Sequence, residues 1–281
     1  MNTRKPEWLR VKIQGGNDSQ KVKTLLSDLN LNTVCLEANC PNQMECYNRK
    51  TATFMILGRN CTRNCTFCNV QKHSPDPVNI SEPEKIGLAI KALDLKHAVI
   101  TSVTRDDLSD GGASHFAKVV KEIRKTAPGV TIELLISDLS GNWDSLKIIM
   151  ESKPDIINHN IETVPTLYSE VRPMANYERS LDLLKMAKKI MPEVKTKSGI
   201  MLGLGETNAQ LISSFQDLLD HKCEILTLGQ YLSPSSAHIE VKEYIHPVVF
   251  KELKNIAMKM GFKNVASSPL TRSSYHADEL I

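Results

Sequence analysis

The chain has 281 residues, of which 41% are hydrophobic and 24% charged, with a formal net charge of +3. These values suit a globular chain with room for a full core, and so small a charge gives no reason to expect a nucleic-acid or membrane partner. No apolar stretch is long enough to span a bilayer. Residues 1–20 are polar and charged, and read as neither a secretory signal nor an anchor. The expected location is the cytoplasm.

Taken in chain order, the first fifty residues show no strong apolar period and read as an extension packed on the main domain. From residue 53 the pattern becomes regular. Short apolar runs at 53–57, 98–103, 131–136, 156–160, 195–202 and 224–228 predict strands. Amphipathic stretches at 82–93, 113–126, 143–151, 177–190, 208–221 and 247–260 predict helices between and after them. Ser81 with Glu84, and Thr207 with Gln210, have capping-box spacing, and Gly261 stands where a C-terminal cap belongs. Strands alternating with helices imply right-handed βαβ units and a parallel sheet. Six units are too few for a closed eight-stranded barrel, so the expected fold is α/β, a partial (β/α)6 TIM-type barrel open on one side. Its chemistry belongs at the C-terminal ends of the strands.

Six of the seven cysteines fall within a 34-residue window: Cys35, Cys40, Cys46, Cys61, Cys65 and Cys68. A disulfide framework suits a short secreted chain, whereas clustered thiols in a long chain without an export signal point to metal. Cys61-Thr-Arg-Asn-Cys65-Thr-Phe-Cys68 begins just after the first predicted strand. Three thiolates leave one iron of a cubane cluster open, free to bind a small chelating ligand. A structural zinc completed by a histidine such as His73 is the alternative that spacing leaves open. The upstream triplet, with spacings of four and five, is also one ligand short. Cys223 stands apart and reads as a small buried residue.

The C-x3-C-x2-C segment, with Phe67 before its last cysteine, resembles the radical S-adenosylmethionine motif. With C-x4-C-x5-C upstream, it resembles the lipoyl synthase family in particular. Further matching segments are Thr104-Arg-Asp-Asp-Leu-Ser-Asp-Gly-Gly112, Asn158-His-Asn-Ile-Glu-Thr163, Val171-Arg-Pro173, the stretch 199–206 and Arg272-Ser-Ser-Tyr275. The resemblance implies two 4Fe-4S clusters, one on Cys61, Cys65 and Cys68 with S-adenosylmethionine on its open iron. The auxiliary cluster would sit on Cys35, Cys40, Cys46 and a serine. Chemistry alone does not separate Ser273 from Ser274; the resemblance selects Ser274, the serine before Tyr275. A hard, weak oxygen ligand is one that iron can release.

The family's reaction, carried over as an implication, abstracts hydrogen from C6 and then C8 of a protein-bound N6-octanoyl-lysine. It inserts sulfur from the auxiliary cluster, which is consumed, to give lipoyl-lysine. Partners so implied are octanoylated lipoyl domains of 2-oxoacid dehydrogenase E2 subunits or the glycine cleavage H protein. An electron donor such as ferredoxin or flavodoxin, and an iron–sulfur carrier for cluster repair, are implied as well. The expected division is 1–46 for the extension with auxiliary cysteines, 47–263 for the barrel core, and 264–281 for the segment supplying the serine.

The remaining candidates carry plainer alternatives. Gly203 lies in a G-x-I-x-G-x-x-E-like element that in the superfamily lines the adenine site; it is equally a turn that lets a helix pack closely. Asn160 and Glu162 are candidates for the ribose hydroxyls, or else helix caps. Thr104 opens the segment that contacts the methionine end, although Arg105, Asp106 and Asp107 can equally form a local ion-pair network. Arg172 and Arg272 are candidates for substrate or cofactor carboxylates, or else exposed arginines. A tRNA-methylthiolating enzyme would need an RNA-binding domain and a more basic surface. A biotin-synthase-like enzyme would lack the upstream triplet, and a ferredoxin-like carrier or zinc module would carry four cysteines per site.

Overall fold

The structure, a computed structural model, describes residues 5–11 and 17–280. Parts of the expected N-terminal extension, residues 1–4 and 12–16, lie outside the described residues, as does Ile281. Helix α1 (Asn17–Asp28) comes first, then strand β1 (Asn32–Thr33) and two short helices, α2 (Val34–Glu37) and α3 (Gln43–Asn48). The regular alternation follows: β2 (Thr53–Ile56), α4 (Glu82–Ala92), β3 (His97–Ser102), α5 (Ala113–Thr126), β4 (Thr131–Leu135) and α6 (Trp143–Glu151). It continues through β5 (Ile156–Asn158), α7 (Tyr168–Val171), α8 (Tyr177–Ile190), β6 (Lys195–Leu202), α9 (Asn208–Asp220), β7 (Ile225–Gln230), α10 (Pro247–Met260) and β8 (Asn264–Ser267).

All eight strands form one sheet in chain order, with β1 antiparallel to β2 and the other pairs parallel. No ladder joins β8 back to β1 or β2 among the described residues, so the barrel is open. The six expected β/α units are present, and β8 adds a seventh parallel strand. That strand has one buried position, Val265, which is too little apolar signal to announce it. Every residue of β2 is buried, as expected for a strand covered on both faces.

One apolar core runs through the molecule, with Phe54, Phe116, Phe215 and Phe250 inside it, and Val22, Leu26 and Tyr47 of the N-terminal region belong to it. Each such ring contributes roughly 2–3 kcal/mol by burial. Among the described residues no helix is long and apolar enough to cross a membrane.

Local signals mostly agree with this architecture. Thr207 and Gln210 form the reciprocal capping box at α9, and Gly261 closes α10 at φ +123°. Ser81 does not cap α4 as its spacing suggested. Its hydroxyl and its N–H both donate to Asn79 Oδ1, so the side chain is already committed.

Candidate active site

The loop after β2 carries Cys61, Cys65 and Cys68 at the C-terminal end of the sheet, where the sequence placed them. It is pinned from several directions. Cys61 N–H donates to Gln71 O (2.8 Å), Thr62 N–H to Thr104 O (3.1 Å) and Thr66 N–H to Val171 O (3.0 Å). Beneath it Arg63 is buried and bonds Asp106 (2.7 Å) and Asp138 (2.7 Å), and Asp138 also takes Arg179 (2.8 Å). Burial works against charge on Asp138, but the hydrogen bonds from Arg63 and Arg179 outweigh it and hold the carboxyl far below the usual range. Arg105 forms a bidentate pair with Asp107 and donates to Leu57 O, so the ion-pair reading of this segment holds. The Arg63–Asp138–Arg179 link was not legible in the sequence, because its members lie far apart along the chain.

Asn160 and Glu162 follow β5, and neither caps a helix. Glu162 sits at φ +67° and pairs through its backbone with Gly199 and Met201, which turns it toward the strand ends. Burial raises its carboxyl pKa, opposed by the charge of Arg172, the Asn160 amide and the charge of Arg272. Arg172 is buried and Arg272 half-buried. Arg172 donates to Asn160 O (2.8 Å) and the Tyr168 hydroxyl (2.7 Å) and lies beside Cys65. The charge of Arg272 acts on both Cys40 and Glu162. Gly203 has a structural task of its own. At φ +96°, a Cβ there would lie 2.3 Å from both Gln230 Nε2 and Glu243 O. Phe67 and Met201 pack on a small apolar cluster with Val171, Leu204 and Tyr231.

The second triplet is built from the two ends of the chain. Cys35 lies in α2, Cys46 in α3 and Cys40 between them. The C-terminal segment is tied across them. Asn42 Nδ2 donates to Leu270 O (2.7 Å), Tyr275 OH to Glu45 Oε1 (2.8 Å) and Arg49 to Asp278 and Glu279. His276 Nε2 also bonds Glu45 Oε1 (3.1 Å). Ser274 thereby lines one cavity with Cys35 and Cys46, which Ser273 does not.

Do these residues fit the groups expected of them? No three His, Cys, Asp or Glu side chains converge on a single-ion position among the described residues. In a cubane each cysteine binds a different iron, so the sulfurs stand wider apart than around one zinc. His73 is exposed. Burial pushes the Cys35 thiol up to about 11, and the Cys46 and Cys68 thiols up to about 12. Such thiols stay protonated until a metal displaces the proton. Near Cys65, Asn160 Oδ1 and Arg172 Nε are buried without a partner, as groups awaiting a polar ligand are. The residues fit two clusters and a polar small molecule.

Comparison with known proteins agrees. The model of the radical SAM superfamily matches residues 55–218, and that of the N-terminal domain of lipoyl synthase matches residues 1–40. The lipoyl synthase of Caldanaerobacter subterraneus is 55% identical over 278 residues, covering 99% of this chain and 97% of that protein. That of Bacillus subtilis is 50% identical over 279 residues, covering 99% and 94%.

The chain belongs to the lipoyl synthase family.

Solved structures place its fold among radical SAM enzymes. The hydrogenase maturase HydG superposes with a TM-score of 0.59 at 12% identity, covering 88% of this chain and 68% of that one. Methylornithine synthase gives 0.55 at 14% identity, covering 91% and 84%. In this member of the lipoyl synthase family, one cysteine triplet lies on the loop after β2 and the other on and between the short helices α2 and α3.

Proposed function

We propose that this protein is a lipoyl synthase, a sulfurtransferase that inserts two sulfur atoms at C6 and C8 of a protein-bound N6-octanoyl-lysine to give lipoyl-lysine. The observation that carries the reading is the pair of incomplete cysteine triplets, in a chain about half identical to lipoyl synthases over nearly its whole length. When bound, the 4Fe-4S cluster on Cys61, Cys65 and Cys68 supplies, with S-adenosylmethionine, a 5′-deoxyadenosyl radical, and the cluster on Cys35, Cys40, Cys46 and Ser274 supplies sulfur.

The chain's own residues bind, orient and shield. The Arg63–Asp106–Asp138 network fixes the loop whose three cysteines would hold the cluster. Glu162 and Asn160 hold the ribose, with Thr104 and Gly203 beside the cofactor. Arg172 and Arg272 set positive charge where carboxylate or amide oxygens of cofactor and substrate lie. Ser274 would hold the auxiliary cluster through a hydroxyl, a weaker ligand for iron than a thiolate and so one that could be released. In this reading residues 47–263 form the radical core, residues 1–46 bring three auxiliary ligands and residues 264–281 the fourth.

The substrate is a lipoyl-domain protein, either an octanoylated E2 subunit of a 2-oxoacid dehydrogenase or the glycine cleavage H protein. A ferredoxin or flavodoxin supplies electrons, an iron–sulfur carrier restores the auxiliary cluster, and the reaction runs in the cytoplasm. The test is anaerobic incubation with an octanoylated lipoyl-domain peptide, S-adenosylmethionine and a reductant, followed by mass analysis. A product gaining two sulfurs is expected. Cleavage of S-adenosylmethionine without sulfur insertion would assign the protein a different substrate.

A further inference from the structure

The chain leaves β2 through two residues in the left-handed region. Leu57 stands at φ +68° and Gly58 at φ +94°. Glycine enters that region freely, whereas a leucine does so at a cost. Leu57 is also fully inside the molecule, 1% exposed, and comes only four residues before Cys61. Strain of this kind persists where the surroundings over-determine it, and it gathers at functional sites.

The surroundings of Leu57 do hold it at each of its groups. Its N–H donates to Glu82 Oε2 (3.0 Å), and its C=O accepts from Arg105 Nη1 (2.9 Å). Its side chain fills the space that Gly112 leaves open. A Cβ on Gly112, itself at φ +89°, would collide with Leu57 Cδ1. The clamps are fixed in turn. Glu82, buried as the first residue of α4, has Oε2 2.7 Å from His115 Nε2 on α5. Arg105 is buried and forked onto Asp107. Beyond Gly58, Asp76 accepts from Arg59 N–H (2.7 Å) and from the Asn60 amide (3.2 Å). Arg105 and Gly112 both belong to the 104–112 segment, and Thr62 N–H, next to Cys61, donates to Thr104 O (3.1 Å). Leu57 and Thr62 thus tie the cysteine loop to that segment at two points.

We propose that Leu57 and Glu82 are positioning residues for S-adenosylmethionine cleavage: the left-handed turn at Leu57, held by Glu82, sets the register between the cysteine loop and the 104–112 segment. The inference rests on the proposed function for the radical loop, and not on the identity of the acyl substrate. In that function the loop holds the cluster and Thr104 stands beside the cofactor. A shift of one against the other would therefore show first in how the cofactor binds.

Two substitutions at Leu57 separate the turn from simple burial. Leu57→Gly keeps the left-handed conformation and removes the whole side chain. Leu57→Val removes one methylene, but a β-branched residue resists positive φ. Lost packing alone makes Leu57→Gly the worse variant, whereas a lost turn makes Leu57→Val the worse. Both are read in the full chain carrying both clusters, by KM for S-adenosylmethionine in the cleavage assay. The second readout is the change that the cofactor makes in the electron paramagnetic resonance spectrum of the reduced protein. Leu57→Val should raise KM about tenfold and weaken that spectral change, while Leu57→Gly should stay within about threefold of the parent. Glu82 supplies an independent pair, which decides alone if a Leu57 variant takes up no iron. Glu82→Gln keeps an oxygen for Leu57 N–H and should match the parent, and Glu82→Ala should behave like Leu57→Val. Leu57→Gly impaired at least as strongly as Leu57→Val, or Glu82→Ala with the parent's KM and spectral change, would overturn the proposal. A parent that neither cleaves the cofactor nor responds to it would refute the proposed function, and this inference with it. Cleavage without sulfur insertion would move the substrate assignment and leave the ranking of the variants as the test.

Discussion

The two cysteine triplets are held in unlike ways. Cys61, Cys65 and Cys68 sit on a loop that leaves a fully buried strand and rests on Arg63, itself clamped between Asp106 and Asp138. Cys35, Cys40 and Cys46 sit on and between two short helices, roofed by a C-terminal segment that is fastened largely through half-exposed side chains such as Glu45, Arg49 and Asp278. Buried charge networks are rigid because opening them strands a charge, whereas exposed pairs are worth little. A site used repeatedly gains from the first construction. A site dismantled in every cycle and rebuilt gains from the second.

Variants should separate the two constructions, and the largest effect belongs to the core loop. Cys65→Ala should abolish both cleavage of S-adenosylmethionine and product formation, while Cys46→Ala should abolish product and leave cleavage measurable by chromatography. Equal loss of cleavage in both would erase the distinction.

Next comes the buried clamp. Asp138→Asn leaves Arg63 short of its buried partner and should cost about 3–5 kcal/mol, read as a lower denaturation midpoint. Because the Asp138 carboxyl is depressed in the folded chain, its contribution is present above the unfolded value of 3.8 and is lost as pH falls through the folded one. The parent should therefore lose stability below about pH 4 more steeply than Asp138→Asn. Parallel acid profiles would remove the clamp from the explanation.

The roof should respond mildly. Glu45→Gln weakens the contacts of Tyr275 and His276, and about 1 kcal/mol or less is at stake. Its clearest signature is selective, namely loss of auxiliary iron on gel filtration with the radical-loop cluster retained. Ser274→Cys should keep a cluster and lose turnover, since a thiolate does not release the corner. A helix cap should affect stability alone. Thr207→Ala removes the α9 cap and should lower stability by about 1 kcal/mol with activity unchanged.

How much of this was legible in the sequence differs between the same two regions. The radical loop was placed by spacing and by the strand before it, because both are local signals. The helices α4 to α10 that carry an amphipathic stripe were also readable. Helix α1 was not, although Val22 and Leu26 bury there, since too few apolar positions mark its face. Ser274 was identified by resemblance, and the structure adds what no spacing carries: the tie from Tyr275 to Glu45 across 230 residues. Arg172 and Arg272 could be read either as carboxylate-binding residues or as exposed arginines. The burial of Arg172 and the partial burial of Arg272 follow from long-range folding that composition does not record. The quartet of His97, Glu133, Asn158 and Lys197 was missed for the same reason, being spread over four strands.

The division of labour between the triplets has one direct measurement. The auxiliary cluster is built with isotopically heavy sulfide, excess label is removed, and a single turnover is run with an octanoylated lipoyl-domain protein. Both sulfurs of the lipoyl product are expected to be heavy, and Cys46→Ala is expected to give none. Product carrying only unlabelled sulfur would contradict the assignment of Cys35, Cys40, Cys46 and Ser274 to a consumed cluster.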